Sequence, residues 1–277
     1  DYGRGQQAEL NKYCVEVNYY HRLTGYKGIS ASLPYIVASR ANTALLNNLK
    51  KDDYPILLEG IHCTFFLNTG DLKNKKVFVR LHNVEHLYYQ QLYRTSSSRL
   101  KKIYYKRESK LLKKYEASLK GKATFWTVNE KDINIFINDF KYTHIENIFP
   151  FLPEYETTWD GEKGNYCLYH GNLSVPENEK AVEWLLENIF NEIEIPLIIA
   201  GKNPSDYLQK LINVKNNIVL VKNPDNDEMQ NLIKKAQVNI LPSFNNTGIK
   251  LKLINALFNG KHCLVNSATI EGTGLAP

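Results

Sequence analysis

Short apolar runs alternate with amphipathic stretches along the 277-residue chain, and the alternation occurs twice over. In the first half the pattern predicts strand 13–20, helix 31–49, strand 55–59, a short helix near 61–67, strand 76–81, a long helical region 83–120, strand 123–128, helix 130–139 and strand 145–149. The apolar pattern then stops in EYETTWDGEKGN, a polar, glycine-containing stretch over 154–165 that reads as a linker. The second half restarts with strand 166–170, helix 177–190, strand 196–200, helix 204–213, strand 217–222, helix 227–236, strand 237–241, helix 248–258 and strand 261–265. Strands alternating with helices are the rhythm of parallel βαβ units. The expected fold class is therefore α/β, two tandem doubly wound domains over 1–153 and 166–277. Such sheets bind ligands at the carboxyl ends of their strands.

The most informative stretch is TGIKLKLINALFNGKHCLV, residues 247–265. At about 100° per residue, Gly248, Lys252, Asn255 and Asn259 fall within roughly 60° of one another, and apolar residues cover the other faces. A helix of this pattern is buried on most sides. One lysine and two asparagines on its open stripe, after a Thr-Gly pair expected to leave backbone N–H groups free, suit a bound anion. A stripe that merely meets water fits the same pattern.

Composition changes this picture little. With 43% hydrophobic and 23% charged residues the chain reads as globular, and its length suits two domains. Cys14, Cys63, Cys167 and Cys263 are far apart and form no CxxC pair, as expected for reduced thiols in a cytoplasmic protein. No apolar run approaches the roughly 20 residues of a membrane helix.

Charge changes it more. Between Arg94 and Lys122 stand eleven basic residues against two acids, Glu108 and Glu116, a local +9; the whole chain carries +6, so the remainder sums to −3. Within this patch Leu100, Ile103, Tyr104, Leu111, Tyr115 and Leu119 recur at helical spacing, with lysines and arginines on or beside the other faces. Three readings fit such a basic amphipathic helix: docking on an anionic membrane surface, nucleic-acid binding, or a solvated helix packing one face on its own domain. The first and third fit better, and no nucleic acid is expected as partner.

The remaining candidate chemistry sits at predicted strand ends. His170, Gly171 and Asn172 close one strand, with Ser174, Pro176 and Asn178 before the next helix; Gly201 and Lys202 close another. Neither segment matches GxGxxG or a P-loop. The DxD string Asp225-Asn226-Asp227 directly precedes a predicted helix, which favours N-capping over metal binding. His82 follows strand KVFVRL, with Asn83 and Glu85 in the same loop. The spread of His, Cys, Asp and Glu offers no structural-metal spacing.

The runs HGNLSVPENEKAVEWL, IIAGKNPS, ILPSFNNTGIKLKLINALFNGKHCLVN and EGTGLA, with RLHNVEHLYY in the first half, resemble the GT-B glycosyltransferases, specifically the large retaining group that uses nucleotide-sugar donors (glycosyl transferases group 1 type). The resemblance implies two Rossmann-like domains. It also implies transfer of a hexosyl-type sugar from a nucleoside-diphosphate sugar to an acceptor hydroxyl, with retention and with no cofactor or obligatory metal. Against that family the chain reads as lacking a first strand and a last helix. The family's two glutamates, eight positions apart, would fall on Thr247 and Asn255, and the basic residues after its first strand near Asn172 and Glu177. None of these matches, so lysines elsewhere are expected to supply the charge.

Donor binding is accordingly expected from Gly171, Asn172, Gly201, Lys202, Thr247, Gly248, Ile249, Lys250, Lys252 and Asn255, with Lys252 ranked first. His82 is the expected catalytic contact to the donor sugar, and Asn83 and Glu85 the contacts to sugar or acceptor hydroxyls. The expected partners are a nucleotide sugar, a glycan or lipid-linked acceptor, and an anionic membrane surface meeting residues 94–122. The expected location is cytoplasmic, peripheral on the inner membrane face. A nucleotide-sugar epimerase of the same fold and a non-catalytic nucleotide- or sugar-binding protein remain as alternatives.

Overall fold

The computed structural model describes residues 5–96, 98–153, 161–213, 216–245 and 247–276. The chain forms two compact units, Asp1–Phe149 and Pro150–Pro277. Of the predicted linker, residues 154–160 lie outside the described residues.

The first unit runs α1 (Tyr35–Ala38), α2 (Thr43–Leu49), β1 (Ile56–Glu59), α3 (Phe65–Thr69), β2 (Val77–Leu81), α4 (Glu85–Thr95), α5 (Arg99–Ser118), β3 (Thr124–Thr127), α6 (Glu130–Phe140) and β4 (Ile145–Asn147). Its sheet has the order β1-β2-β3-β4, every pair parallel. Val79, Leu81 and Phe125 lie in one buried cluster with Tyr115, Leu119 and Phe136, so α5 and α6 pack on this sheet. Two predicted helices are each split. Asn42 ends the first by accepting the N–H groups of Ala44 and Leu45, which starts α2. Ser98 does the same for α5 through the N–H of Lys101. Predicted strand 13–20 is irregular in structure, and Tyr13 and Val15 are exposed.

The second unit runs β5 (Cys167–Asn172), α7 (Pro176–Asn188), β6 (Leu197–Lys202), α8 (Asp206–Asn213), β7 (Ile218–Lys222), α9 (Asn226–Lys235), β8 (Val238–Ile240), α10 (Leu251–Asn259), β9 (His262–Leu264) and α11 (Ser267–Ile270). All five strands are parallel, in the order β7-β6-β5-β8-β9. The chain walks outward from β5 to β7 and then returns to the other side of β5. The switch point of a doubly wound sheet therefore lies between the carboxyl ends of β5 and β8, where such folds open a crevice. Alternation along β5 sends Tyr169 into one core, with Leu185, Leu197 and Leu208, and Leu168 into the other, with Ile233 and Ala256.

Two sequence expectations need correction. The helix predicted from 248 begins at Leu251, because Gly248 takes a left-handed backbone (φ 65°) and Lys250 occupies the N-cap. That helix is buried along Leu253 and Ala256 only, while Leu251, Leu257 and Phe258 are exposed. In α5, Leu100, Ile103 and Tyr104 do not pack inward as a continuation of the apolar face. The buried side is Glu108, Leu112, Tyr115 and Glu116, followed by Leu119.

Candidate functional site

The switch point of the second unit gathers polar groups from four segments. β5 ends at Asn172, whose Oδ1 accepts both the N–H (3.2 Å) and the hydroxyl (2.8 Å) of Ser174, which folds the chain toward α7. Pro176 opens α7 at a position where a missing N–H costs nothing. The first turn then presents Glu177 and Asn178. Asn178 Nδ2 donates to the Asn172 carbonyl at 2.9 Å, which leaves Asn178 Oδ1 toward the crevice side, where Lys252 Nζ donates to it at 3.1 Å.

Lys252 also donates to the Tyr169 hydroxyl oxygen at 3.3 Å, and its ammonium sits 4.7 Å from the centre of the Tyr169 ring. Burial, as the largest cause, pushes Lys252 down to about 8; Lys250 adds to this and Glu177 opposes it. His170, also on β5, is 4% exposed, and its buried Nε2 has no hydrogen-bond partner among the described residues. Burial and then Lys252 hold that imidazole down to about 3, so it stays neutral.

The loop after β8 is held by asparagines. Asn266 Oδ1 accepts the Ser243 N–H at 3.1 Å, and Asn245 Nδ2 donates to Glu177 Oε2 at 2.6 Å. Asn245 Oδ1 accepts both the N–H (2.9 Å) and the hydroxyl (2.8 Å) of Thr247. The Thr247 N–H is thus engaged, contrary to the expectation of a free Thr-Gly pair. Lys250 folds back so that Nζ donates to the Thr247 and Gly248 carbonyls. Among the described residues no side chain caps α10, and the Leu253 N–H bonds to the Lys250 carbonyl at 2.9 Å.

Asn255 stands three residues after Lys252 in α10. With Asn259, Asn226, Gln230, Asn231 and Lys234 it lines a cavity of about 430 Å³ between α9 and α10, and Asn259 Nδ2 donates to its Oδ1 at 2.6 Å. Lys252 and Asn255, expected on one stripe, therefore meet different neighbours. Gly171 leaves ordinary van der Waals room for a Cβ, 3.4 Å from Asn178. Gly201 does not: a Cβ there would stand 1.9 Å from the Gly171 carbonyl oxygen, so this glycine is required by strand packing. Lys202 is exposed. Asp225 caps α9 by accepting the Glu228 N–H at 2.8 Å, as the sequence indicated.

Of the residues around Lys252, the sequence marks Asn178 only by its place before a predicted helix, and it marks neither Tyr169 nor Asn245. One signal was available for Tyr169, since a tyrosine in a buried strand requires a hydroxyl partner.

In the first unit, the loop after β2 carries His82, Asn83 and Glu85. His82 Nε2 lies 3.1 Å from Glu59 Oε2, and Glu59 Oε1 also meets Arg80 at 3.4 Å. Burial foremost, then the Glu116 carboxyl, pushes Glu85 up to about 7, against a hydrogen bond from Asn83. Burial, assisted by Arg40, His82 and Arg22, lowers neighbouring His62 to about 4.

Two α/β units with parallel sheets, the second with a polar crevice at its switch point, have the architecture of the GT-B fold, and comparison with known proteins gives the class as glycosyltransferase. The sequence profile of the family Glycosyl transferases group 1 matches residues 164–273. The chain is 31% identical over 295 residues to an uncharacterized 44.6 kDa protein in the cps region of Klebsiella pneumoniae, covering 96% of this chain and 71% of that protein. Among solved structures, TarM superposes with a TM-score of 0.63 at 14% identity, over 83% of this chain and 45% of TarM. The pneumococcal O-GlcNAc transferase GtfA, in complex with UDP and GlcNAc, gives 0.55 at 14% identity, over 81% of this chain and 44% of GtfA. The chain thus spans less than half the length of these two structures. It belongs to the group 1 glycosyl transferases.

Proposed function

We propose that the chain transfers a hexosyl-type sugar from a nucleoside-diphosphate sugar to an acceptor hydroxyl, with retention and without a metal ion. The observation that carries this is the Lys252 ammonium, in the first turn of α10 and held by Asn178 and Tyr169 at the switch point. As the glycosidic bond breaks, negative charge grows on the departing diphosphate, and a cation and backbone N–H groups already in place stabilise it. Lys252 is assigned that role. Gly171, Asn172, Lys202, Thr247, Gly248, Ile249 and Lys250 surround the donor; Gly201 keeps β5 and β6 close enough for their loops to do so. Asn255 reaches the nucleoside part from the α9–α10 cavity. His82 contacts the transferred sugar, and Asn83 and Glu85 hydrogen-bond sugar or acceptor hydroxyls. That the solved GtfA complex holds UDP and GlcNAc is consistent with this donor class.

The acceptor is a glycan or a lipid-linked glycan, and the enzyme works on the cytoplasmic face of a membrane, docked through α5. Among the described residues no helix is long and apolar enough to cross a membrane. Both acids of the basic stretch are fully buried, so the outer side of α5 shows cations with no carboxylate between them. Leu100 is 80% and Ile103 68% exposed in their midst. Basic side chains near an anionic surface contribute about 1 kcal/mol each, and exposed leucine and isoleucine add apolar insertion.

The test is release of nucleoside diphosphate by the full-length protein from a panel of UDP-, GDP- and other nucleotide sugars. Slow release from one donor, accelerated by acceptor, supports transfer. Interconversion of the sugar without release indicates the epimerase, and a thermal shift with neither reaction indicates a binding protein.

A further inference from the structure

The two acids of the basic helix α5 are each used to start another helix. Glu108 Oε2 accepts the N–H of Tyr35, the first residue of α1, at 2.6 Å. Glu116, fully buried, does the same for α4. The N-cap of α4 is Val84, which has no side-chain acceptor to offer. Glu116 supplies one from 30 residues away: Oε1 accepts the His86 N–H at 3.3 Å, and Oε2 lies 2.5 Å from His86 Nδ1. A carboxylate at a helix N-terminus also complements the helix dipole. The contact is braced on both sides. Ser109 Oγ donates to the His86 carbonyl at 2.8 Å, and the Tyr142 hydroxyl donates to the Glu116 carbonyl at 2.6 Å.

α4 begins directly after His82 and Asn83. Whatever fixes its first turn therefore fixes how those side chains, and Glu85, stand at the end of β2. We infer that Glu116 is a positioning residue of the glycosyl-transfer reaction, holding the loop 82–86 in its working conformation without touching substrate. This rests on the reading of His82, Asn83 and Glu85 as site residues. The charged and polar groups that face Glu85 are Glu116 from α5, Asp132 from α6, Asn83 in the loop and Tyr89 on α4 itself. Glu116 thus also acts on the ionisation of Glu85, raising the pH at which it loses its proton.

The experiment uses the full-length protein and the donor it turns over, and compares Glu116→Gln, Glu116→Ala and His82→Ala for kcat, donor KM, pH profile and amide exchange. Glu116→Ala should lower kcat at least tenfold with donor KM changed less than threefold, because the residues assigned to the diphosphate and nucleoside of the donor lie on the second unit. Amide exchange of residues 82–88 should rise while the rest of the unit is unchanged. Glu116→Gln keeps an acceptor oxygen for the helix N–H groups. It should recover kcat to within about threefold of wild type and move the acid limb of the pH profile to lower pH. The inference is overturned if both Glu116 variants show wild-type kcat and pH profile per folded molecule while His82→Ala is impaired, even if both melt earlier. If His82→Ala is also fully active, the loop lies outside the site and the functional reading of the first unit falls with it.

Discussion

Lys252 Nζ and Asn178 Oδ1, from helices on opposite sides of the switch point and 74 residues apart in sequence, meet at 3.1 Å. Among the described residues the lysine forms no salt bridge; its partners are an amide oxygen, a hydroxyl and an aromatic ring. Neutral partners hold the ammonium in place without cancelling its charge, which leaves it able to serve an incoming anion.

Nucleoside-diphosphate affinity should therefore depend on pH near neutrality. With Lys252 lowered to about 8, the cation is present at pH 7 and lost as pH rises through 8. Affinity should fall several-fold between pH 7 and 9, measured by calorimetry with UDP or GDP. A flat profile over that range would remove Lys252 from the phosphate site.

Gly201→Ala should destabilise the second unit by about 2–4 kcal/mol, since backbone rather than a flexible side chain occupies the space. Gly171→Ala should cost less than about 1 kcal/mol by the same reasoning. Urea unfolding of the two variants gives the comparison, and equal costs would contradict the strand-packing role of Gly201.

Buried His170 makes the fold sensitive to acid. Its folded-state value, about 3, lies below the ordinary 6.5, so the unfolded chain takes up a proton first. Its contribution is fully present above pH 6.5 and lost as pH falls toward 3. Wild type should lose more stability than His170→Met between pH 7 and pH 4.5, with the carboxylates common to both cancelling in the difference. Identical pH slopes would show that the imidazole is hydrated in solution.

Leu100 and Ile103 are mostly exposed, so folding depends little on them. Replacing both with serine should change unfolding free energy by less than about 0.5 kcal/mol. Sedimentation with vesicles containing anionic phospholipid should nonetheless drop several-fold, and Lys106, Lys110, Lys113 and Lys114 changed to glutamine should abolish it. Undiminished sedimentation of both variants would exclude α5 as the docking surface.

Much of this architecture was legible because each βα repeat announces itself locally, through a buried apolar run, a cap such as Asp225 or Asn129, and a periodic helix. The exceptions have physical causes. Residues 13–20 alternate like a strand, yet a strand needs a ladder partner and these residues join neither sheet. The polar stripe of 248–259 assumed a helix from Gly248; the left-handed glycine and the folded-back Lys250 delay it by three residues. Lys252 and Asn255 both lie inside α10 and keep their i,i+3 spacing, but the long lysine side chain reaches α7 whereas Asn255 lines the cavity against α9. Lys252 itself was legible as a charge on a mostly apolar helix. Its partners were not, because Tyr169 and Asn178 reach it only through the tertiary fold, and the capping of α4 by Glu116 crosses 30 residues that no local pattern spans.

The most direct measurement is the affinity of UDP and GDP for wild type and Lys252→Ala by titration calorimetry at pH 7. Loss of a charge-assisted hydrogen bond to the diphosphate should weaken the nucleotide that binds by about 1–3 kcal/mol, or roughly 5- to 150-fold, with the melting temperature of the free protein little changed. Equal affinity of the two proteins would contradict the placement of the diphosphate at the switch point of the second unit.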